Sequence, residues 1–181
     1  EATLRRTTAA LSEELTRQIF ADGGHVGRNP ETLVDLLLDL LPLRHTFAAR
    51  NQPAPQALLN AIDRMIPMLR LLRHGDGSLA LFNGMGVTEP DHLATVLASA
   101  DARGRALLNA PHAGYQRLEA ADAVVVIDTG APPPGLLSRT AHAGCLSFEL
   151  SLGGQRVIVN CGAPPPGKPA QRTAARQTAA H

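Results

Sequence analysis

The hydrophobic period of this chain changes near residue 105, and that change constrains the fold more than any other feature. Before it, leucine and isoleucine recur at helical spacing in four stretches. After it, short apolar runs bounded by glycine, proline and polar residues are typical of strands. Helices first and antiparallel strands second predict an α+β fold in two parts, residues 1–105 and 106–181.

Capping and proline signals predict where the first two helices begin and end. The first helix is expected to end near Ala21, ahead of two glycines. Asn29 and Pro30 are typical of an N-cap and a first helical position, so they mark the start of the second helix. Pro42 is expected to end that helix, because proline lacks a backbone donor.

Similar signals bound the next two helices. The third is expected to begin around Pro55 and to kink at Pro67. Thr88 and Asp91 resemble a capping box, so the fourth helix is expected to open at Thr88.

The second part of the chain predicts strands over 114–118 and 123–129, followed by a proline-rich loop at 131–135. A hairpin with Gly153 and Gly154 as its two-residue loop comes next. The expected register pairs Leu150 opposite Val157, with the same spacing bringing Phe148 opposite Val159 and Leu146 opposite Cys161. That register puts the apolar partners on one face.

The same register bears on the two cysteines. Strand side chains alternate between faces, so Cys145 is expected to point away from the face that carries Cys161. A disulfide bond between them is therefore disfavoured.

Composition indicates a folded chain and excludes several classes of protein. The 181 residues are 44% hydrophobic and 18% charged, so extensive disorder is not expected. No apolar run approaches the roughly 18 residues that span a bilayer. A net charge of +1, with no tryptophan and one tyrosine, argues against a nucleic-acid-binding protein. The chain begins at Glu1 without a methionine, so we expect a segment of a longer protein.

Basic residues are almost all arginine, since Lys168 is the one lysine among 17. Arginine suits bidentate recognition of carboxylate or sulfate groups. Codon bias in a GC-rich genome is the alternative explanation, because alanine, glycine and proline are abundant as well.

Polar residues gather at 22–30, just ahead of the predicted start of the second helix. A helix N-terminus carries free N–H groups and partial positive charge, so Arg28 and Asn29 beside it could bind a carboxylate or a sulfate. His25 could act as a base or an acid near neutral pH. The alternative is a capping loop in which His25 bonds to the backbone.

Two more candidates lie in later loops. Asp76 belongs to a His-Gly-Asp-Gly stretch, which indicates a turn in which the carboxylate bonds nearby backbone; a binding role is the alternative. His142 enters a strand of pattern Leu-Ser-Phe-Glu-Leu, where it could face a cleft or be a hydrogen-bonded structural residue.

Three segments, 22–30, 142–150 and 173–181, together resemble the heparinase II/III family of polysaccharide lyases, and they occur in the family's order. The resemblance implies the end of a helical (α/α) toroid over 1–105 and the start of an antiparallel β-sandwich domain over 106–181. It also implies β-elimination on uronic-acid-containing glycans, with an acidic polysaccharide as partner, and a periplasmic or cell-envelope location.

The resemblance and the polar clusters together nominate the site residues. His25 and His142 are the expected catalytic residues. The expected substrate-binding residues are Arg28, Asn29 and Asp76.

The chain departs from the family pattern at positions that bear on chemistry. Thr32 replaces the tyrosine that shuttles protons in the family, and Gly144 replaces the aspartate of a His-x-Asp pair. Zinc could bind through His142 and His181, but the missing aspartate removes an oxygen ligand, so no cofactor is expected. The alternative function is a catalytically impaired carbohydrate-binding or cell-envelope protein that keeps the lyase fold, and a purely structural scaffold is a third.

Overall fold

A computed structural model describes residues 1–99, 104–139, 141, 144, 146–165 and 167–176. Its first part is helical and its second part is an antiparallel sheet of strand order β1-β2-β3-β4-β5, which confirms the α+β fold. The helices are α1 (Ala2–Gln18), α2 (Pro30–Ala49), α3 (Gln56–Leu71), α4 (Pro90–Ala98) and α5 (Pro169–Ala175). The strands are β1 (Asn109–Ala110), β2 (Tyr115–Ala120), β3 (Ala123–Asp128), β4 (Phe148–Leu152) and β5 (Gln155–Ile158), and a 3-10 helix (Gly135–Arg139) lies between β3 and β4.

Helix α3 is the centre of the helical part, and α1 and α2 pack against it. Its apolar stripe is fully buried at Leu58, Ile62 and Leu69, as helical spacing predicts. Pro67 lies inside α3. Within the described part of the chain, no helix is long and apolar enough to cross a membrane.

Pro42 does not end α2, so that expectation was wrong. The helix runs on to Ala49 with Pro42 inside it. Leu43 and Phe47, in the continuing turns, pack partly buried against the core. Their burial offsets the backbone hydrogen bond that proline cannot make.

Two other helix ends differ from expectation. The first helix stops at Gln18 rather than near Ala21, because Ile19 turns into extended backbone and forms a β-bridge with His25. Helix α4 begins at Pro90, and the Thr88 hydroxyl accepts a hydrogen bond from the Leu79 amide at 2.9 Å instead of capping the helix. The prediction of a capping box at Thr88 and Asp91 was therefore wrong.

The hairpin around Gly153 and Gly154 is confirmed, but its register is not the expected one. A β-bulge between Leu150 and Ser151 shifts the pairing, so Leu150 lies opposite Ile158 rather than Val157. An extra residue in one strand displaces every partner beyond it. Cys145, and with it the expected disposition of the two cysteines, lies outside the described residues.

The face of the sheet that lies toward the helices carries buried polar side chains beside the core residues Tyr115 and Val126. Arg117, Asp128, Glu149 and Ser151 are buried there. Leucines and phenylalanine on the other face are about half exposed, among them Leu118, Phe148 and Leu152. Polar contacts thus contribute to holding the sheet against the helical part.

Candidate functional site

The loop between α1 and α2 fits tightly between α3 and the start of the sheet. Gly23 has a φ of +86°, and a Cβ there would overlap the carbonyl of Arg64 on α3. A Cβ on Gly24 would overlap the side chain of Ala113, in the turn between β1 and β2. The two glycines are therefore required by close approach of the backbone.

Asp22 ties this loop to the same turn. Its Oδ2 accepts hydrogen bonds from the His112 amide at 2.7 Å and the Ala113 amide at 2.8 Å. Its Oδ1 accepts from the Gly24 amide at 3.1 Å. The Asp-Gly-Gly sequence therefore holds the α1–α2 loop against the turn between β1 and β2.

Arg28 is buried and committed to contacts within the chain. Its guanidinium forms an ion pair with Asp128 at the end of β3, and both side chains are almost fully buried. Its Nε donates to the Ala113 carbonyl at 2.7 Å, and another guanidinium nitrogen donates to the Ala131 carbonyl. Its charge is neutralised before any ligand arrives.

Two more side chains complete the surroundings of this ion pair. Asn83 donates to Asp128 Oδ2 at 3.0 Å and to the Tyr115 hydroxyl at 2.7 Å. The Tyr115 hydroxyl donates to the Arg28 carbonyl at 2.6 Å, and the ring lies 5.0 Å from the Arg28 guanidinium carbon. Burial, with the Asp128 charge nearby, raises the pKa of Tyr115, so it remains a donor.

His25 lies in the same loop and is 9% exposed. Its Nδ1 accepts a hydrogen bond from the Gly27 amide at 3.0 Å, and its Nε2 lies 3.4 Å from Gln18 Oε1. An Nδ1 that accepts from a backbone amide carries no proton, so the hydrogen is on Nε2. Burial lowers the pKa of His25, which favours the neutral ring.

Asn29 is the N-cap of α2, and its Oδ1 accepts from the Glu31 amide at 2.9 Å. The loop thus brings His25, Arg28 and Asn29 together, each with a partner inside the chain.

Asp76 lies elsewhere, against the β4–β5 hairpin, where it pairs with Arg156 at 3.1 Å. It also accepts from the Ser78 amide at 2.9 Å, as the turn signal predicts. Burial alone would raise the pKa of Asp76. Hydrogen bonds from Ser78 and the charges of Arg156 and His74 outweigh that effect and hold it below its usual value. His142 and His181 lie outside the described residues.

A second buried cluster joins the α3–α4 loop to β4. His74 Nε2 lies 2.8 Å from Glu149 Oε2, and its Nδ1 lies 3.1 Å from Ser151 Oγ. Glu149 Oε1 accepts from the Leu81 amide at 2.8 Å and from the Asn160 amide and side chain, each at 3.1 Å. His74 and Glu149 side chains are fully buried.

The sequence does not nominate three of these buried polar residues as part of a site: Asp128, Glu149 and Ser151. A signal existed for Glu149 and Ser151, since two polar residues at alternate positions share one face of a strand. For Asp128, the signal was a carboxylate at the end of an apolar strand, which must find a partner when buried.

Two open clefts flank this junction. One, of about 400 Å³, lies between Phe20 and Val26 on the helical loop and His112 and Pro132 on the sheet loops. The other, of about 200 Å³, lies between the 3-10 helix and α5. Among the described residues, no group of three histidine, cysteine, aspartate or glutamate side chains could hold a metal ion.

Comparisons with solved structures show the fold that this junction belongs to. A heparinase III gene product superposes with a TM-score of 0.72 at 18% identity, covering 96% of this chain and 31% of that one. The heparan sulfate lyase HepC of Pedobacter heparinus superposes with a TM-score of 0.70 at 21% identity, covering 94% and 31%.

Sequence comparisons add a relative and a family. A curated protein of Caulobacter vibrioides named FtsZ-localized protein C is 41% identical over 149 residues, which is 82% of this chain and 26% of that protein. The chain therefore spans between a quarter and a third of these relatives. Residues 102–181 match the heparinase II/III-like C-terminal family, and the chain shares the fold of the heparinase III and HepC structures.

Proposed function

We propose that this protein is a catalytically impaired member of the family, which binds acidic polysaccharide of the cell envelope without cleaving it. The observation that carries the proposal is that Arg28 and His25 use their functional atoms on partners inside the chain.

The chemistry of β-elimination explains why this matters. A base must remove the C5 proton of a uronate, an acid must protonate the departing oxygen, and a cation or donor must neutralise the carboxylate. The Nδ1 lone pair of His25 is already taken by the Gly27 amide, and the charge of Arg28 by Asp128. Thr32 offers an alcohol where the family has a phenol, and an alcohol is too weak an acid to replace it.

The relative named FtsZ-localized protein C supports a role other than catalysis, because its name states a location and no enzymatic activity. Its name states an association with FtsZ, and the identity of 41% makes it a close guide to this segment.

Catalysis remains the second candidate, because family and fold are those of lyases. In that case a rearranged loop would free His25 to act with His142, and Arg28, Asn29 and Asp76 would contact the substrate.

Full-length protein incubated with a panel of uronic-acid glycans separates the two candidates. Elimination creates an unsaturated uronate that absorbs at about 232 nm, so product formation is followed directly. We expect retained binding by calorimetry and no rise in absorbance. A rise that His25→Ala abolishes, and that the exposed control His45→Ala preserves, would establish the lyase instead.

A further inference from the structure

We infer that the cleft of about 200 Å³ lined by Arg139, Arg172 and Arg176 binds the carboxylate of a uronate residue. This inference rests on the proposed polysaccharide binding and gives it a location. It assigns the carboxylate to a different set of arginines from the one that the sequence indicated, since Arg28 is neutralised by Asp128.

Two of the three arginines are held in place by backbone carbonyls. Arg176 Nη2 donates to the Ser138 carbonyl at 3.0 Å, and its Nη1 donates to the Arg139 carbonyl. Arg172 Nε donates to the Pro164 carbonyl at 3.0 Å. These bonds fix each guanidinium while leaving further N–H donors of the planar group for a ligand. A site held in advance loses less entropy on binding.

The cleft carries positive charge with no anion to balance it. Within the part of the chain that the structure describes, none of the three arginines forms an ion pair, and the lining includes no acidic residue. Glu31 is close enough for the charge of Arg172 to act on its pKa. Burial and the charge of Asp35 nevertheless outweigh that effect and raise the pKa of Glu31. A bound anion would relieve the repulsion among three guanidiniums.

The remaining walls suggest what the anion is attached to. Ala163, Pro164 and Pro169 line the cleft together with the arginines and give it apolar surface. A pyranose ring has an apolar face, and a uronate carries its carboxylate at one end of that ring. A planar carboxylate also matches the guanidinium fork. The cleft therefore fits one acidic sugar residue of a longer chain.

Arg139→Ala tests the assignment in the full-length protein, with oligogalacturonate as the probe and its methyl ester as the uncharged comparison. Arg139 is exposed, so its loss should leave the fold intact. Losing one charge-assisted contact should weaken oligogalacturonate binding roughly tenfold. Arg172→Lys keeps the charge but loses the fork, and should weaken binding as well. Arg6→Ala, on the exposed face of α1, removes the same charge elsewhere and should leave affinity unchanged.

Three results would overturn the inference. The first is equal affinity of Arg139→Ala and Arg6→Ala. The second is equally tight binding of the methyl ester. The third is binding of inorganic phosphate with the same dependence on Arg139 and no binding of oligogalacturonate, which would assign the cleft to a phosphate group. If wild-type protein binds no acidic glycan at all, the proposed polysaccharide binding fails together with this site. If binding persists in every arginine variant, only the site fails.

Discussion

Arg28 adopts a φ of 58°, in the left-handed region that an L-residue other than glycine rarely occupies. That conformation costs roughly 1–2 kcal/mol. Two contacts stabilise this conformation, one with each of two strands. The Arg28 side chain pairs with Asp128 at the end of β3, and the Arg28 carbonyl accepts a hydrogen bond from the Tyr115 hydroxyl on β2. A residue under this constraint is positioned for the fold, which agrees with its proposed loss of a ligand-binding role.

His25 gives the folded protein a dependence on pH. Its pKa is lowered by burial in the folded state, so the unfolded chain binds a proton first as the pH falls. The stability that neutral His25 contributes is complete above its unfolded pKa of about 6.5 and is lost as the pH falls through the lower folded value.

Denaturation midpoints of full-length wild type and His25→Gln between pH 7.5 and pH 5 test this point. Both proteins should lose stability through their other groups, and the wild type should lose more. Parallel curves would show that His25 is not buried and neutral. A two-dimensional NMR titration of the ring would then give the pKa directly.

Strand β3 and the α1–α2 loop are joined by an ion pair that spans the helical part and the sheet. Asp128 is fully buried, and so is nearly all of the Arg28 side chain. Asp128→Asn keeps the shape and removes the charge, which leaves a buried guanidinium unpaired. Breaking a buried pair in this way costs about 3–5 kcal/mol.

Urea denaturation of the full-length protein measures that cost. Glu14→Gln is the matched control, since it breaks the exposed pair of Glu14 with Arg17 on α1 and should change the midpoint little. Equal midpoints for the two variants would mean that the Arg28–Asp128 pair does not hold the junction.

Periodicity predicts the first four helices and strands β2 to β5, but it does not predict β1, the 3-10 helix, α5 or the partners of each element. The order of helices and strands, and the hairpin turn at Gly153, follow from local spacing and turn chemistry. The continuation of α2 past Pro42 does not, because it depends on Leu43 and Phe47 packing against the assembled hydrophobic core. Arg28 is the clearest case for the site. The local sequence around a basic residue before a helix is the same whether its side chain binds a ligand or a carboxylate of the same chain. For Arg28 that carboxylate is Asp128, which lies 100 residues further along the chain.

At the scale of the whole molecule, the sheet exposes an apolar face to solvent, which is unusual for a domain that is complete by itself. Its polar side chains are buried against the helices, while Leu118, Phe148 and Leu152 are about half exposed on the opposite face. A continuous apolar sheet face in water is unfavourable, and antiparallel sheets normally cover one by packing on a second sheet. We propose that residues 106–181 are part of a β-sandwich domain, as the family resemblance implies, and that its other sheet covers this face in the full-length protein.

Leu118→Asn distinguishes a covered face from an open one. If a second sheet packs on Leu118, a polar amide there loses apolar contacts and gains an unsatisfied group, so the full-length protein should lose about 2–5 kcal/mol of unfolding free energy. Leu136→Asn is the control, because Leu136 is an exposed leucine on the 3-10 helix, away from the sheet. Covering by a second sheet predicts a large loss for the first variant and a small one for the second. Two equally small losses would mean that the apolar face stays in water, and the sandwich arrangement would then be wrong for this protein.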